Sequence, residues 1–72
     1  SGSIIQSLAI SDSNDLLALG FNDGFVNIYD LVGHNECGRI KIGDGSVQSL
    51  LLFNNNILAG VADSNIHLIE YD

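Results

Sequence analysis

Residues 16–30 read LLALGFNDGFVNIYD, and this stretch decides the fold of the 72-residue chain. Two short apolar segments flank Asn22-Asp23-Gly24, a triplet typical of tight hairpin turns because glycine tolerates positive φ. Beyond the turn, Val26 and Ile28 alternate with Asn27, which is the two-residue period of a β-strand. We therefore predict a β-hairpin.

The pattern of this hairpin returns later in the chain. The residues ILAGVAD at 57–63 follow LALGFND at 17–23 after 40 positions, whereas QSL at 48–50 follows the same triplet at 6–8 after 42 positions. The two-residue difference falls in residues 11–15, which have the composition of a turn. Repeats of this length indicate units that stack on one another.

Each repeat predicts three short antiparallel strands, so the predicted fold class is all-β. The predicted strands cover residues 4–10, 16–21, 25–30, 47–53, 57–62 and 66–71. A seventh strand is predicted over residues 38–42, where Arg39 and Lys41 alternate with apolar residues and suit an exposed edge. Asp63-Ser64-Asn65 is the weaker equivalent of the first hairpin turn.

The first strand of each repeat is apolar on both faces. Strict alternation places Ile5 opposite Leu8 in the first repeat, and Val47 opposite Leu50 in the second. A strand of this kind needs cover on both faces, and in an antiparallel fold we expect other sheets to supply it.

Charge narrows the classes of partner. The chain has 2 Lys and Arg against 9 Asp and Glu, for a net charge of −7. Binding to nucleic-acid phosphate or to an anionic membrane surface requires basic patches, so neither is expected as a partner. The acidic surface favours solubility, and binding of basic protein segments is the weaker interpretation.

Cysteine usage indicates the compartment. Cys37 is the single cysteine, which rules out an internal disulfide, and the sequence has no Asn-x-Ser/Thr glycosylation site. With no signal-peptide pattern, these features predict an intracellular protein, cytoplasmic or nuclear. Ser-Gly-Ser at residues 1–3 is typical of a vector-derived remnant and is left out of the fold prediction.

No metal or cofactor is predicted. Asp12, Asn14 and Asp15 bring oxygen ligands together, but they lack the spacing of a calcium loop, which favours a solvated turn. Residues 34–37 contain His, Glu and Cys but have no second ligand pair, which favours a plain loop over a metal site.

Catalysis is not predicted either. Cys37 as a nucleophile would need a base, and His34 is the one nearby candidate, in a stretch without an oxyanion-hole sequence. Gly43 and Gly45 do not open a helix, so they form no phosphate loop. His67, which aligns with Asn27, is predicted to be a partly exposed residue on a polar face.

Short antiparallel strands in a repeat of about forty residues resemble the WD40 β-propeller family. The resemblance is carried by SLAIS at 7–11, LLALGFNDG at 16–24 and VNIYDL at 26–31. They look like the family's first strand, its second strand with the tight turn, and its third strand. Tyr29-Asp30 stands where the family often has Trp-Asp, and Ile69-Glu70 is the weaker match in the second repeat.

The resemblance implies an arrangement of blades. In the family, a blade takes three strands from one repeat and its outer strand from the next, which gives a complete first blade over residues 4–42 and a second over 46–72 without its outer strand. The chain lacks tryptophan and has Gly43-Asp44 where the family often has Gly-His, so the propeller is WD40-like. Propellers close with typically 4–8 blades, so we expect a fragment of a longer propeller. The alternative is an engineered or excised blade pair that self-assembles into a closed propeller, with no natural partner of its own.

The resemblance also implies a function. A non-catalytic protein–protein interaction scaffold in a larger complex is expected, with other propeller blades and protein segments as partners. Family members commonly bind partners through the loops that correspond here to residues 22–24, 43–46 and 63–65. The residues expected to contact partners are Asn22, Asp23, Asp44, Asp63 and Asn65. The residues expected to hold their turns are Asp23, Gly24 and Asp63.

Overall fold

Seven β-strands make up the computed structural model, which describes residues 3–53, 56–62 and 66–70. The strands are β1 (Ile5–Ile10), β2 (Leu16–Phe21), β3 (Phe25–Asp30), β4 (Asn35–Lys41), β5 (Val47–Phe53), β6 (Asn56–Val61) and β7 (Ile66–Glu70). The described part of the chain contains no helix. The predicted all-β class is therefore confirmed.

The strands form two sheets in which sequence neighbours pair antiparallel. Blade 1 has the strand order β1-β2-β3-β4, and blade 2 has the order β5-β6-β7 in its described residues. Strands that follow one another in sequence lie side by side, so each sheet is an up-and-down meander in its described residues. This is the arrangement of blades that the family resemblance implies.

One apolar core lies between the two sheets. Its buried side chains are Ala18, Val26, Ile28, Val47, Leu52, Ile57, Ala59 and Val61. Blade 1 contributes the face that we name the trailing face, formed by Ser7, Ala9, Ala18, Gly20, Val26 and Ile28. Blade 2 contributes the other side of its sheet, which does not correspond to the trailing face in the repeat. We name this side the leading face, and it is formed by Val47, Leu50, Leu52, Ile57, Ala59 and Val61. The blades therefore stack in one direction and do not pack through equivalent faces.

A second face remains open on each blade. The leading face of blade 1 carries Ile5, Leu8, Ile10, Leu17, Leu19 and Phe21. The trailing face of blade 2 carries Ser49, Leu51, Leu58, Gly60, Ile66 and Leu68. Large apolar side chains stand exposed on both, with Leu8 at 60% and Leu68 at 63% of full exposure.

A β-bulge corrects the predicted faces of the first strands. The register shifts between Ile5 and Ser7 in β1 and between Val47 and Ser49 in β5. The extra residue resets the two-residue alternation, so Val47 lies on the same face as Leu50 instead of opposite it. Ile5 likewise lies on the same face as Leu8. Strict alternation was therefore the wrong rule for both strands.

The outer strand of blade 1 also differs from the prediction. We predicted it over residues 38–42, but β4 covers Asn35–Lys41, so the predicted loop ends at residue 34. The register shift opposite Ile28 and Tyr29 makes Cys37 an extra residue and hides the alternation from the sequence. The other strands begin or end within one residue of their predicted limits, where those limits are described.

The blades approach each other closely where Gly20 of β2 meets Val47 of β5. A Cβ atom placed on Gly20 would lie 2.6 Å from Val47 Cγ1 and would also overlap the hydroxyl of Ser7. At the same point the Ser7 hydroxyl donates a 2.8 Å hydrogen bond to the Val47 carbonyl. The glycine therefore sets the distance between the sheets.

Adding one methyl group at Gly20 should push the blades apart. We expect Gly20→Ala to lower the free energy of unfolding by about 1–3 kcal/mol, the usual cost of overpacking a core. Urea denaturation followed by circular dichroism measures this change.

Gly38→Ala is the matched control, because a Cβ atom there meets nothing within 4 Å. The control should leave stability unchanged or raise it by up to about 1 kcal/mol. Equal losses in the two variants would contradict the role of Gly20.

Candidate functional site

The candidate site lies where the hairpin turn at residues 22–24 meets the loop at residues 43–46. Gly24 has a φ of 87°, which glycine adopts without strain. Its carbonyl accepts a 2.9 Å hydrogen bond from the Ile42 amide, and a side chain at position 24 would collide with the Gly43 carbonyl. The turn and the loop therefore form one continuous surface, which we name the upper surface.

Asp23 is bonded on both carboxylate oxygens. One oxygen accepts a 2.7 Å hydrogen bond from the Ser3 hydroxyl, and the other accepts a 3.3 Å bond from the Phe25 amide. The Ser3 bond, followed by the Phe25 amide, holds the pKa of Asp23 below its ordinary value. Ser3 belongs to the segment that the sequence prediction leaves out, yet it contacts this turn.

Asn22 ties the same turn to the start of β1. The Ile4 amide donates a 2.8 Å hydrogen bond to the Asn22 side-chain oxygen, and the Asn22 amide donates a 2.9 Å bond to the Ile4 carbonyl. Asn22 and Asp23 thus lie together on the upper surface, with the exposed Asp44 in the adjoining loop. Asp63 and Asn65, the other residues predicted to contact partners, lie outside the described residues.

The turn at residues 11–15 lies at the opposite end of blade 1. Asp15 accepts hydrogen bonds from the hydroxyls of Ser13 at 2.6 Å and Ser11 at 2.8 Å. Both bonds hold the pKa of Asp15 below its ordinary value, and the bond from Ser13 has the larger effect. The carboxylate is engaged within the turn.

The remaining candidates for metal binding and catalysis are scattered. Cys37 is exposed on the outer strand, and His34 lies in the preceding turn with a φ of 60°. Within the described ranges, no three His, Cys, Asp or Glu side chains come together in a way that could hold a metal ion. His67 is half-buried and pairs with Ala59, so it faces the other blade.

The chain's two cations lie over one aromatic ring. The Arg39 guanidinium carbon is 4.2 Å from the centre of the Phe25 ring, and Lys41 Nζ is 6.0 Å from it. Cross-strand pairing of Phe25 with Lys41 places all three side chains on the leading face of blade 1. The sequence prediction missed this cluster, because it depends on the register between β3 and β4.

A shallow cavity of about 320 Å³ opens on the same leading face. Its apolar walls come from Leu17, Leu19 and Tyr29, and Asp30 and His34 lie at its lower rim. Beside it, the Asn27 amide donates a 3.4 Å hydrogen bond to the Tyr29 hydroxyl. Sequence reasoning missed the cavity, since it arises from the relative sizes of facing side chains.

Acidification should destabilise the chain through Asp15 and Asp23. Both pKa values are lowered in the folded state from an ordinary value of 3.8. A carboxylate with a lowered pKa stabilises the folded state at pH values above its ordinary pKa. This contribution is lost as the pH falls through the lowered pKa. The urea concentration at the unfolding midpoint should therefore fall as the pH drops below 3.8. The Asp15→Asn, Asp23→Asn double variant should show a smaller fall.

Asp12→Asn is the control, because it removes the same charge from the same turn as Asp15. A double variant that loses as much stability as the unmodified chain on acidification would show that these carboxylates contribute nothing.

Solved structures share this fold along nearly the whole chain. A chain of a mitotic checkpoint complex superposes with a TM-score of 0.90 at 20% identity, over 94% of this chain and 21% of its own length. The β-propeller domain of Cps50 (Swd1) from Myceliophteria thermophila gives a TM-score of 0.84 at 22% identity, over 97% and 22%. The computationally designed Ika4 protein gives 0.88 at 19% identity, over 100% and 44%.

The chain thus spans about a fifth of the first two of these proteins and under half of the third. No protein-family model matches the sequence, and no curated protein matches it either. No helix in the described part of the chain is long and apolar enough to cross a membrane.

The natural proteins among these neighbours are WD40 β-propellers. The chain therefore has the WD40-like β-propeller fold, of which it forms two stacked blades.

Proposed function

We propose that this chain is part of a WD40-like β-propeller that acts as a non-catalytic protein–protein interaction scaffold in a larger complex. The observation that carries the proposal is the upper surface. The Gly24 carbonyl binds the Ile42 amide, and the hairpin turn touches the loop at residues 43–46, so two separate connections form one rigid platform. Platforms of loops on a rigid scaffold are where binding residues concentrate.

The partner is a basic protein segment. The chain carries a net charge of −7, and Asp23 and Asp44 lie on the upper surface. Hydrogen bonds from the Ser3 hydroxyl and the Phe25 amide hold the pKa of Asp23 below its ordinary value. Like charge repels nucleic-acid phosphate and anionic lipid, so a protein partner is favoured over both. Asp63 and Asn65, which lie outside the described residues, are proposed as further partner contacts.

The proposed setting is intracellular, either cytoplasmic or nuclear. The exposed Cys37 has no second cysteine to pair with, which suits a reducing compartment. The open faces of the two blades bind further blades, since each exposes large apolar side chains.

A charge reversal on the upper surface tests the proposed partner contact. A Lys- and Arg-rich peptide added to the isotope-labelled chain should shift amide resonances of residues 22–24 and 43–46 at low salt. Asp44→Lys should weaken this binding, because the exposed carboxylate would be replaced by a like charge.

Asp12→Lys is the matched control, since Asp12 is also exposed but lies in the turn at the other end of blade 1. Peptide binding that is weakened equally by both variants would show general attraction to an acidic chain, which contradicts a site on the upper surface.

A further inference from the structure

We propose that the open trailing face of blade 2 binds the open leading face of blade 1 of a second copy of this chain, so that copies assemble head to tail. The inference rests on the two-blade fold and concerns surfaces other than the upper surface. It assigns each open face a specific occupant.

The first argument is that the required interface already exists once within the chain. Blade 1 presents its trailing face to the leading face of blade 2, and together they bury a common core. The two open faces are a trailing face and a leading face. Their residues occupy the same positions in the repeat as the residues of the buried faces. Docking a second copy therefore repeats a contact that the sequence already makes.

The second argument is that the close contact between Gly20, Ser7 and Val47 has its counterparts on the open faces. Within the chain, Gly20 leaves room for Val47, and the Ser7 hydroxyl binds the Val47 carbonyl. In the repeat, Gly60 corresponds to Gly20 and Ser49 to Ser7.

Among the described residues, a Cβ atom on Gly60 would meet Ser49 alone, so no packing between the blades explains the glycine. The residue that corresponds to Val47 is Ile5, at the bulge of β1 and 53% exposed. In the proposed contact, Gly60 leaves room for Ile5 of the second copy, and the exposed Ser49 donates to its carbonyl.

The third argument is complementary size. Leu58 on the open trailing face stands where the buried trailing face has Ala18, and Leu51 stands where it has Ala9. The open trailing face is therefore bulkier than its buried counterpart. The open leading face has the matching hollow, the cavity of about 320 Å³ between Leu17, Leu19 and Tyr29.

In the buried interface, Ala18 and Ile28 belong to the same core cluster as Ile57, the equivalent of Leu17. Leu58 and Leu68, which correspond to Ala18 and Ile28, therefore fill the cavity of the second copy.

A head-to-tail contact uses a different patch on each partner, so it propagates until the assembly closes. Propellers close with typically 4–8 blades, and each copy supplies two, which gives a ring of about two to four copies. A discrete mass in this range is the expected result when the 72-residue chain is measured by analytical ultracentrifugation. A folded monomer overturns the proposal, as does a polydisperse aggregate, because the open faces then need blades of another sequence.

Mixing two variants tests the direction of the contact. Leu68→Asp blocks the trailing face of blade 2, and Leu8→Asp blocks the leading face of blade 1. Each variant alone should be monomeric, with the β-sheet circular dichroism of the unmodified chain. An equimolar mixture should give a dimer and nothing larger, since one intact trailing face meets one intact leading face.

A contact between identical faces would behave differently, because Leu8→Asp alone would still form dimers through its trailing face. That result overturns the proposal, as does a mixture that remains monomeric while both variants are folded. Leu68→Ala and Leu8→Ala cover the case in which a charge unfolds the chain. Each should weaken assembly at least tenfold, and an unchanged assembly constant in both overturns the proposal.

Asp12→Lys is the control, because the exposed Asp12 lies in the turn at residues 11–15, does not line the cavity and is not one of the residues of either open face. It should leave the assembled mass unchanged, and a loss of assembly with Asp12→Lys would contradict a face-specific contact. Peptide binding at the upper surface is measured separately, so failure of assembly and failure of the proposed partner contact are distinguishable.

Discussion

The structure depends on one close approach, that of Gly20 in β2 to Val47 in β5. Neither sheet has a thick core of its own, because a single sheet buries side chains only where another sheet covers it. The absence of a side chain at Gly20 allows Val47 to fill the space. The Ser7 hydroxyl then fixes the height of one sheet against the other through the Val47 carbonyl. The other core side chains pack at the spacing that this contact sets.

Stacking in one direction decides which faces of the two blades stay exposed. A pair of sheets that packed through equivalent faces would leave two open faces of the same kind, whereas these blades leave one of each kind. Ile66 and Leu68 of blade 2 correspond to the buried Val26 and Ile28 of blade 1, yet they face outward. A side chain's burial in this chain is therefore decided by the blade's position in the stack as well as by the repeat.

The sequence predicted the strands and the hairpin turn well, because both depend on local patterns. Asn22-Asp23-Gly24 marks its turn through backbone preferences that no distant residue overrides. The faces of the first strands were harder to predict, since the bulge before Ser49 interrupts the alternation without leaving a glycine or proline as a sign. The start of β4 was hidden in the same way by the extra residue Cys37.

The features of the site that the sequence did not predict are those that depend on which residues pair across neighbouring strands. Asp23 is recognisable as a turn residue, but its bond to Ser3 spans 20 positions and depends on how the chain enters β1. The cavity on the leading face depends on which side chains face one another across β2 and β3, and Leu17 and Tyr29 become neighbours only once that pairing is known. Local propensity carries no information of this kind.

The stacking of Arg39 and Lys41 on Phe25 has a consequence for proteolysis. These are the chain's two basic residues, and both lie in β4, the outer strand of blade 1. A protease that cuts after Arg or Lys needs an extended, unpaired segment, so β4 must first detach from β3 and release the ring. Cleavage there would break the covalent connection between the two blades. The rate of tryptic digestion thus reports the local opening of β4, because the other strands contain no Arg or Lys.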